Sequence, residues 1–331
     1  MESNGTESSE STTPEENTPR NLNHSSRHIA DRETGIMKQT QIGRRAILQG
    51  SVLLLSSGLA ASREVRGSAE QTPSLRLGLV TDIHHADKPT AGTRFYRDSL
   101  GKLEEARDFF VREKLPCVIE LGDTIDSANT LAAEQDYLRQ FWKTFAASGI
   151  DRRCVLGNHC VSALTKAEFL EITQQAKTFD SFDLGGFHFV LLDACYRKDG
   201  ADYGRNNFEW TDANIPPHEL DWLRSDLDRT MNKTIVLVHQ RLDVPPPYGI
   251  QNAAEVRKIL QDSGKVLAVL QGHYHPGDYR EQNGIPYFTL SAMIEGSGPD
   301  NSAYAVLEVF PDDSIRLLGF RKQKGFEHRR A

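Results

Sequence analysis

Five apolar runs in this chain are each followed directly by side chains that bind metal ions. The first run covers 75–81 and the second 117–121, and the other three precede residues 157, 239 and 272. The metal-binding side chains at the ends of the runs are Asp82, His84, Asp123, Asn158, His159, His239, His273 and His275. Because ligands of α/β sheets gather beyond the carboxyl ends of the strands, we expect these side chains to meet. Imidazole, carboxylate and amide donors together favour a catalytic metal centre over a Cys-rich structural one.

The runs alternate with helical patterns, which is typical of an α/β fold. We predict strands over 75–81, 117–121, 154–156, 235–238 and 266–270, a hairpin over 182–193 and final strands over 287–290, 303–310 and 315–320. We predict helices after Asp98 or Ser99, over 131–145 and over 252–261. Parallel crossovers followed by an antiparallel meander predict two packed sheets covered by helices.

Composition excludes several classes of protein. The net charge of −7 reflects an excess of acidic over basic residues. We therefore expect neither a nucleic-acid-binding surface nor a polybasic membrane binder. Four cysteines without a C-x-x-C pair argue against a disulfide scaffold or a zinc ribbon. We expect free thiols, and a bond between Cys154 and Cys160 is the alternative.

The N-terminal residues include few apolar side chains that could form a hydrophobic core. Residues 1–36 contain eleven Ser or Thr and only four large apolar side chains, which predicts a disordered extension. Residues 37–72, with Arg44 and Arg45 before an apolar stretch, resemble a twin-arginine export signal and linker. Polar residues interrupt 46–61, so we expect no stable membrane span and a periplasmic or extracellular protein. An uncleaved anchor and a chance arginine pair are the alternatives to the signal, and a true start at Met37 is the alternative to the extension.

The ordered set of metal-binding blocks resembles the calcineurin-like metallophosphoesterase superfamily over residues 75–325. The resemblance implies an α/β fold, a four-layer α/β/β/α sandwich of two mixed sheets flanked by helices. It also implies two divalent metal ions, with manganese expected first and iron, zinc or magnesium as alternatives. One ion would be held by Asp82, His84 and His275, and the other by Asn158, His239 and His273, with Asp123 bridging both.

The same resemblance implies a catalytic role for Asp123 and His159. A hydroxide bridging the ions would attack phosphorus in line, while His159 would stabilise the transition state or protonate the leaving oxygen. The superfamily usually has an acidic residue where this chain has Cys160, which would remove a carboxylate that orients His159.

Several segments are similar to the manganese-dependent ADP-ribose/CDP-alcohol diphosphatase group within the superfamily. They are 92–100, 117–126, 191–194, 220–223, 272–279 and 294–295. The likeness implies a phosphorylated small-molecule substrate with a diphosphate joining a nucleoside to a sugar or alcohol. Cationic and aromatic side chains after the first strand suggest substrate contacts from Arg94, Tyr96 and Arg97, with Arg94 or Arg97 on the distal phosphate and Tyr96 or Phe95 stacking.

Sequence therefore predicts an exported binuclear phosphohydrolase that acts on nucleoside diphosphate derivatives. A phosphodiesterase or phosphomonoesterase of the same superfamily is the nearest alternative. A non-catalytic metal-stabilised phosphate-binding module and a protein scaffold are alternatives of other classes. The oligomeric state does not follow from the sequence.

Overall fold

Two six-stranded β-sheets and five α-helices form the chain between residues 71 and 329, which the computed structural model describes. The strands are β1 (Leu75–Val80), β2 (Cys117–Glu120), β3 (Asp151–Cys154), β4 (Asp180–Leu184), β5 (Phe187–Leu191), β6 (Thr234–Leu237), β7 (Val266–Gln271), β8 (Pro276–Gln282), β9 (Ile285–Ser291), β10 (Ala303–Val309), β11 (Ile315–Arg321) and β12 (Phe326–His328). The helices are α1 (Ser99–Arg112), α2 (Leu131–Ala146), α3 (Lys166–Thr173), α4 (Pro217–Arg229) and α5 (Ala253–Ser263). The predicted N-terminal extension and export signal lie outside the described residues, apart from residues 71 and 72.

Both sheets are mixed. The first has the strand order β12-β11-β10-β1-β2-β3, and the second has the order β4-β5-β6-β7-β9-β8. In the first sheet β1, β2 and β3 are parallel neighbours, and β10 joins β1 antiparallel. In the second sheet β5, β6, β7 and β9 are parallel, with β4 and β8 antiparallel at the edges. The carboxyl ends of β1, β2 and β3 therefore share one edge, and so do those of β6 and β7.

The two sheets pack face to face, and the alternation of side chains along β1 shows how. Leu77 and Leu79 are fully buried in the core between the sheets. Gly78 lies on the opposite face of the sheet, where an added Cβ atom would be 3.0 Å from the ring of Phe110 in α1. The smallest residue thus lets the helix approach the strand closely.

Helices cover the outer face of each sheet. α1 and α2 pack on the first sheet through side chains such as Phe110 and Phe141, and α4 and α5 pack on the second through Leu223 and Val256. The predicted four-layer α/β/β/α sandwich is confirmed. None of the helices between residues 71 and 329 combines the length and the hydrophobicity that a transmembrane span requires.

The structure differs from the predicted elements in several places. The third strand is β3, which ends at Cys154, so 155 and 156 belong to the loop that follows. The strand predicted at 287–290 is part of β9 and lies parallel to β7, so the antiparallel meander is confined to β10, β11 and β12. β8 was not predicted because it is a polar edge strand without a fully buried residue.

Helix α3 was also missed, although the sequence carries a signal for it. Thr165 accepts a hydrogen bond from the backbone of Glu168, and the Glu168 side chain accepts one from the backbone of Thr165. This reciprocal arrangement is a capping box, which the T-x-x-E pattern at 165–168 encodes. The helix is only 8 residues long, so its apolar periodicity is weak.

Candidate metal centre and active site

The predicted metal ligands meet at the edge where the parallel strands of both sheets end. Backbone hydrogen bonds extend the ladder beyond β1 and β2, from Asp82 N to Gly122 O at 2.9 Å and from His84 N to Asp123 O at 2.8 Å. Gly272 N likewise donates to His239 O at 3.0 Å beyond β6 and β7. These backbone hydrogen bonds fix the direction in which each metal-binding residue extends from the end of its strand.

Two hydrogen bonds join the ligands of one sheet to the other sheet. His239, which follows β6, donates from Nδ1 to the carbonyl oxygen of Leu121 after β2, at 2.8 Å. His273, which follows β7, donates from its backbone N to Asp82 Oδ2 after β1, at 3.1 Å. The centre therefore forms only when both sheets are docked.

The first metal cluster consists of Asp82, His84 and His275. Nε2 of His84 and Nε2 of His275 each lie 3.6 Å from Asp82 Oδ1. The two Nε2 atoms are 3.3 Å apart. Three donor atoms of the types that divalent transition metals prefer thus face one point.

The second metal cluster consists of Asp123, His239 and His273, with Asn158 beside it in the same cavity. Asp123 Oδ2 lies 3.1 Å from His239 Nε2 and 3.6 Å from His84 Nε2 of the first cluster. The other oxygen, Oδ1, accepts a hydrogen bond from His159 N at 2.8 Å. One carboxylate oxygen of Asp123 is therefore shared between the two clusters, which is the position of a bridging ligand.

The donor atoms of the clusters fit divalent cations. Asp82 Oδ1, Asn158 Oδ1 and His273 Nε2 are buried and have no hydrogen-bond partner among the described residues. Burying a polar atom lowers the stability of the fold unless that atom has a binding partner. Because Nδ1 of His239 donates to a carbonyl oxygen, its Nε2 is left to face the centre.

Burial and charge shift the pKa values of the ligands in opposite directions. Burial, with the charge of His239, lowers the pKa of His273 to about 3, so its imidazole is neutral and free to bind a metal. Burial opposes a charge on His239 too, but Asp123, Asp82 and the carbonyl oxygen of Leu121 together outweigh it and raise the pKa of His239 to about 9. A cation that binds His239 therefore displaces a proton.

The backbone at the centre adopts conformations that non-glycine residues rarely take. Asp82, His84, Asp123 and His273 have φ values of 50°, 46°, 60° and 69°. Each such residue costs about 1–3 kcal/mol, and residues of this kind cluster at functional sites. The surrounding strands and helices must offset this cost.

Glycines precede the metal ligands because a side chain at the glycine positions would collide with neighbouring residues of the site. A Cβ atom at Gly157 would run into Asp123, and one at Gly272 would run into Thr81 and Asp82. Of the three glycines that precede ligands, only Gly122, with φ 101°, has a positive φ. Close approach is the physical reason at the other two positions.

His159 has a carboxylate partner, which corrects our expectation from Cys160. Asp126 Oδ1 lies 2.6 Å from His159 Nδ1. Burial opposes a charge on His159, but Asp123 and Asp126 together raise its pKa above the usual value. The residue at 160 is not needed for this, and Cys160 instead contacts Thr124 through its buried thiol. All four cysteines are free thiols, as expected.

A buried carboxylate fixes the two loops that carry Asp126 and His159. Glu134 of α2 accepts a hydrogen bond from Ala128 N at 2.9 Å. Its other oxygen accepts from Ala163 N at 2.7 Å and from Leu164 N at 3.0 Å. The pairing of Asp126 with His159 therefore depends on a support outside the active site.

His275 is oriented in the same way by Glu295. Glu295 Oε1 lies 2.6 Å from His275 Nδ1, and this hydrogen bond lowers the pKa of Glu295 to about 2. The buried ammonium of Lys102 holds the loop of Glu295 by donating to the carbonyl oxygens of Met293 at 2.9 Å and Ile294 at 3.2 Å. Nε2 of His275 is thereby left facing the first metal cluster.

A cavity of about 310 Å³ opens over the centre. Its lining residues are His84, Arg94, Asp123, Asn158, His159, Trp210, Tyr248, His273 and His275. The structure therefore brings together every predicted metal ligand, His159 and one of the three predicted substrate contacts, Arg94.

The other two predicted substrate contacts have different surroundings. Tyr96 is buried in a small apolar cluster with Ile294 and does not line the cavity. Arg97 is exposed and pairs with Asp87 at 2.5 Å. Neither side chain lines the cavity in this structure.

Sequence reasoning missed four residues of the site. Asp126 and Glu295 lie in segments that carry the family likeness, but nothing local assigns them to His159 and His275. Trp210 lies in a long irregular loop and Tyr248 follows three prolines, and neither position has a periodic signal. Their place in the cavity depends on tertiary structure alone.

A sandwich of two mixed sheets with two metal clusters at the strand ends is the architecture of a metallophosphoesterase. A sequence model of the family described as calcineurin-like phosphoesterase matches residues 75–277, so the chain belongs to the calcineurin-like phosphoesterase family. The predicted resemblance is thus confirmed, and the chain is a hydrolase of the metallophosphoesterase class.

Individual relatives agree with this assignment. The chain is 25% identical over 359 residues to the manganese-dependent ADP-ribose/CDP-alcohol diphosphatase of Xenopus laevis, covering 83% of this chain and 98% of that protein. It is 24% identical to the human protein of the same name, covering 75% and 94%. A solved structure of a dimetal phosphatase from Danio rerio superposes with a TM-score of 0.69 at 21% identity, covering 78% of this chain and all of that one. This last likeness supports the fold.

We predict that Asp126→Asn lowers kcat by about 10- to 100-fold, because His159 loses its charged partner. The loss should be larger for aryl phosphate esters with poor leaving groups, which need the proton of His159 most. Metal content, measured by mass spectrometry after dialysis, should not change. Cys160→Ser is the matched control and should retain activity, and an equal loss in both variants would contradict the assignment of Asp126.

Proposed function

We propose that this chain is a binuclear metal-dependent diphosphatase that hydrolyses nucleoside diphosphate derivatives such as ADP-ribose and CDP-alcohols. The observation that carries the proposal is the position of Asp123 Oδ2, between His84 of the first metal cluster and His239 of the second. The names of the relatives point to the same substrates and to manganese. The mixture of imidazole and carboxylate donors suits that metal.

The charge of the centre supports an anionic substrate. Two divalent ions would bring four positive charges, and when bound they would supply an acidified water as nucleophile. Asp82 and Asp123 neutralise two of these charges and Asn158 neutralises none, so a positive surplus remains in an acidic protein. A phosphate group is thereby attracted to the cavity.

The protein side chains of the cavity supply the rest of the chemistry. His159, with its raised pKa and its bond to Asp126, is suited to donate a proton to the leaving oxygen. Arg94 adds a fixed positive charge to the same cavity. A second phosphate, as in a diphosphate, gives this guanidinium a partner.

Metal reconstitution tests the proposed reaction. Metal-stripped protein should be loaded with Mn²⁺, Fe²⁺, Zn²⁺ or Mg²⁺ and assayed against ADP-ribose, a CDP-alcohol, a bis-arylphosphate and an arylphosphate. We expect preferred cleavage of the two diphosphates with Mn²⁺. Preference for the aryl esters would favour the phosphodiesterase or phosphomonoesterase alternative, and no turnover with any metal would favour a phosphate-binding module.

We predict that Arg94→Ala lowers kcat/KM for ADP-ribose by about 10- to 100-fold, because the second phosphate loses a charged hydrogen-bond donor. The loss on an arylphosphate should be much smaller. Arg97→Ala, which removes a nearby arginine outside the cavity, is the matched control and should behave as wild type. Equal losses on both substrates for Arg94→Ala would contradict the diphosphate assignment.

We also propose that the chain is exported by a twin-arginine route. The support is the order of Arg44-Arg45, an apolar stretch and small residues, all outside the described part of the chain. Replacing both arginines by lysine should abolish export, measured as the exported fraction in a cell with that pathway. Arg66→Lys is the control, and continued export of the Arg44/Arg45 variant would contradict the proposal.

A further inference from the structure

Two exposed aromatic side chains stand at the mouth of the cavity. Among the described residues, four large hydrophobic side chains are exposed: Val111, Trp210, Met231 and Tyr248. Only Trp210 and Tyr248, which are 39% and 41% exposed, line the cavity over the metal centre. Their ring centroids are 5.5 Å apart and the rings are inclined at 53°. Among the described residues, exposed aromatic surface is therefore concentrated at this cavity.

The aromatic pair lies beside the second metal cluster. The ring of His273 is 5.7 Å from the ring of Trp210 and 6.0 Å from the ring of Tyr248, measured between centroids. Tyr248 also contacts Tyr274, with centroids 5.2 Å apart. A flat group resting on the pair would therefore be close to the second metal cluster.

The two loops that present the pair are held to each other. Gln251, three residues after Tyr248, donates from its backbone N to Ala213 O and from Nε2 to Thr211 O, both at 2.8 Å. Thr211 directly follows Trp210. The aromatic pair is thus positioned before any substrate binds, which lowers the entropy lost on binding.

Positive charge lies beside the first metal cluster instead. Arg94 forms a β-bridge with Glu295, the residue that orients His275. Arg94 also lines the cavity together with His159. The cavity therefore has an aromatic end near His273 and a cationic end near His275 and His159.

We propose that Trp210 and Tyr248 are a stacking platform for the nucleobase of the substrate. This inference rests on the proposed function and adds an orientation to it. One ribose separates a base from its α-phosphorus, so a base on the platform places that phosphorus over the metal centre. The second phosphate then extends toward Arg94 and His159.

This orientation specifies which bonds change. The oxygen of a water molecule forms a bond to the α-phosphorus, and the bond from that phosphorus to the bridging oxygen breaks. The electron pair leaves with the bridging oxygen, which takes a proton from His159, and a proton of the water restores the imidazolium. The products are a nucleoside monophosphate, which holds the oxygen of the water, and a phosphorylated sugar or alcohol.

Kinetics with and without a base test the platform. The substrates are ADP-ribose and an abasic diphosphate diester of two riboses, assayed with the manganese-loaded enzyme. For Trp210→Leu and Tyr248→Leu we expect kcat/KM on ADP-ribose to fall about 10- to 100-fold, mostly through KM, with no change on the abasic substrate. Met231→Ala, which removes an exposed side chain outside the cavity, should change neither.

Binding provides a readout that does not depend on turnover. AMP should bind wild-type protein more tightly than ribose 5-phosphate in equilibrium dialysis, and both aromatic variants should lose this difference. Unchanged circular dichroism and thermal midpoints check that these surface substitutions leave the fold intact. Equal losses on both substrates, or an unchanged preference for AMP, would overturn the platform.

Hydrolysis in H₂¹⁸O tests the orientation. We expect the label in the nucleoside monophosphate, and label in the sugar phosphate would overturn the orientation. If the wild type hydrolyses ADP-ribose no better than the abasic diester, the platform is wrong while the proposed function stands. If it hydrolyses neither diphosphate, the proposed function fails and the inference fails with it.

Discussion

Two carboxylates, Asp82 and Asp123, are buried at the edge where the two sheets meet, and the rest of the site is arranged around their charge. They are 0% and 2% exposed, and burying a carboxylate is unfavourable unless cations or hydrogen bonds compensate for it. Thr81 and the backbone of His273 donate to Asp82, and the backbone of His159 donates to Asp123. Imidazoles approach the remaining oxygens of the two carboxylates. Divalent cations would bind between these imidazoles and the carboxylate oxygens.

The need to compensate for these two buried charges links the fold to the function. Asp82 and Asp123 follow strands of the first sheet, whereas His239 and His273 follow strands of the second, so the centre joins the two sheets. Asp82 accepts hydrogen bonds from both sheets, from Thr81 of the first and from the backbone of His273 of the second. The left-handed backbone at four of these ligands is a local cost that the packed sandwich can sustain because its core is large and continuous between the sheets.

Most of the centre could be predicted from the sequence because its residues follow strands directly. Apolar runs give the strands, and the residue after a strand end has little freedom in where it points, so the candidate metal-binding side chains could be located from the sequence. Their division between two ions and the role of His159 followed from the family resemblance. Asp126 could not be, since its approach to His159 depends on a loop that Glu134 of α2 holds in place. Tyr96 was expected near the substrate because it is close to Arg94 in sequence, but a short 3₁₀ turn directs it into the interior. Trp210 and Tyr248 come from irregular loops whose paths only tertiary contacts determine.

The central proposal is that Asp123 would join two metal ions into one centre, and electron paramagnetic resonance of the manganese-loaded protein tests it most directly. Two Mn²⁺ ions that share one carboxylate, about 3.5–4 Å apart, should give the signal of an exchange-coupled pair at full loading. Asp123→Ala should remove this coupling. Two isolated Mn²⁺ signals in the fully loaded wild-type protein would contradict the claim.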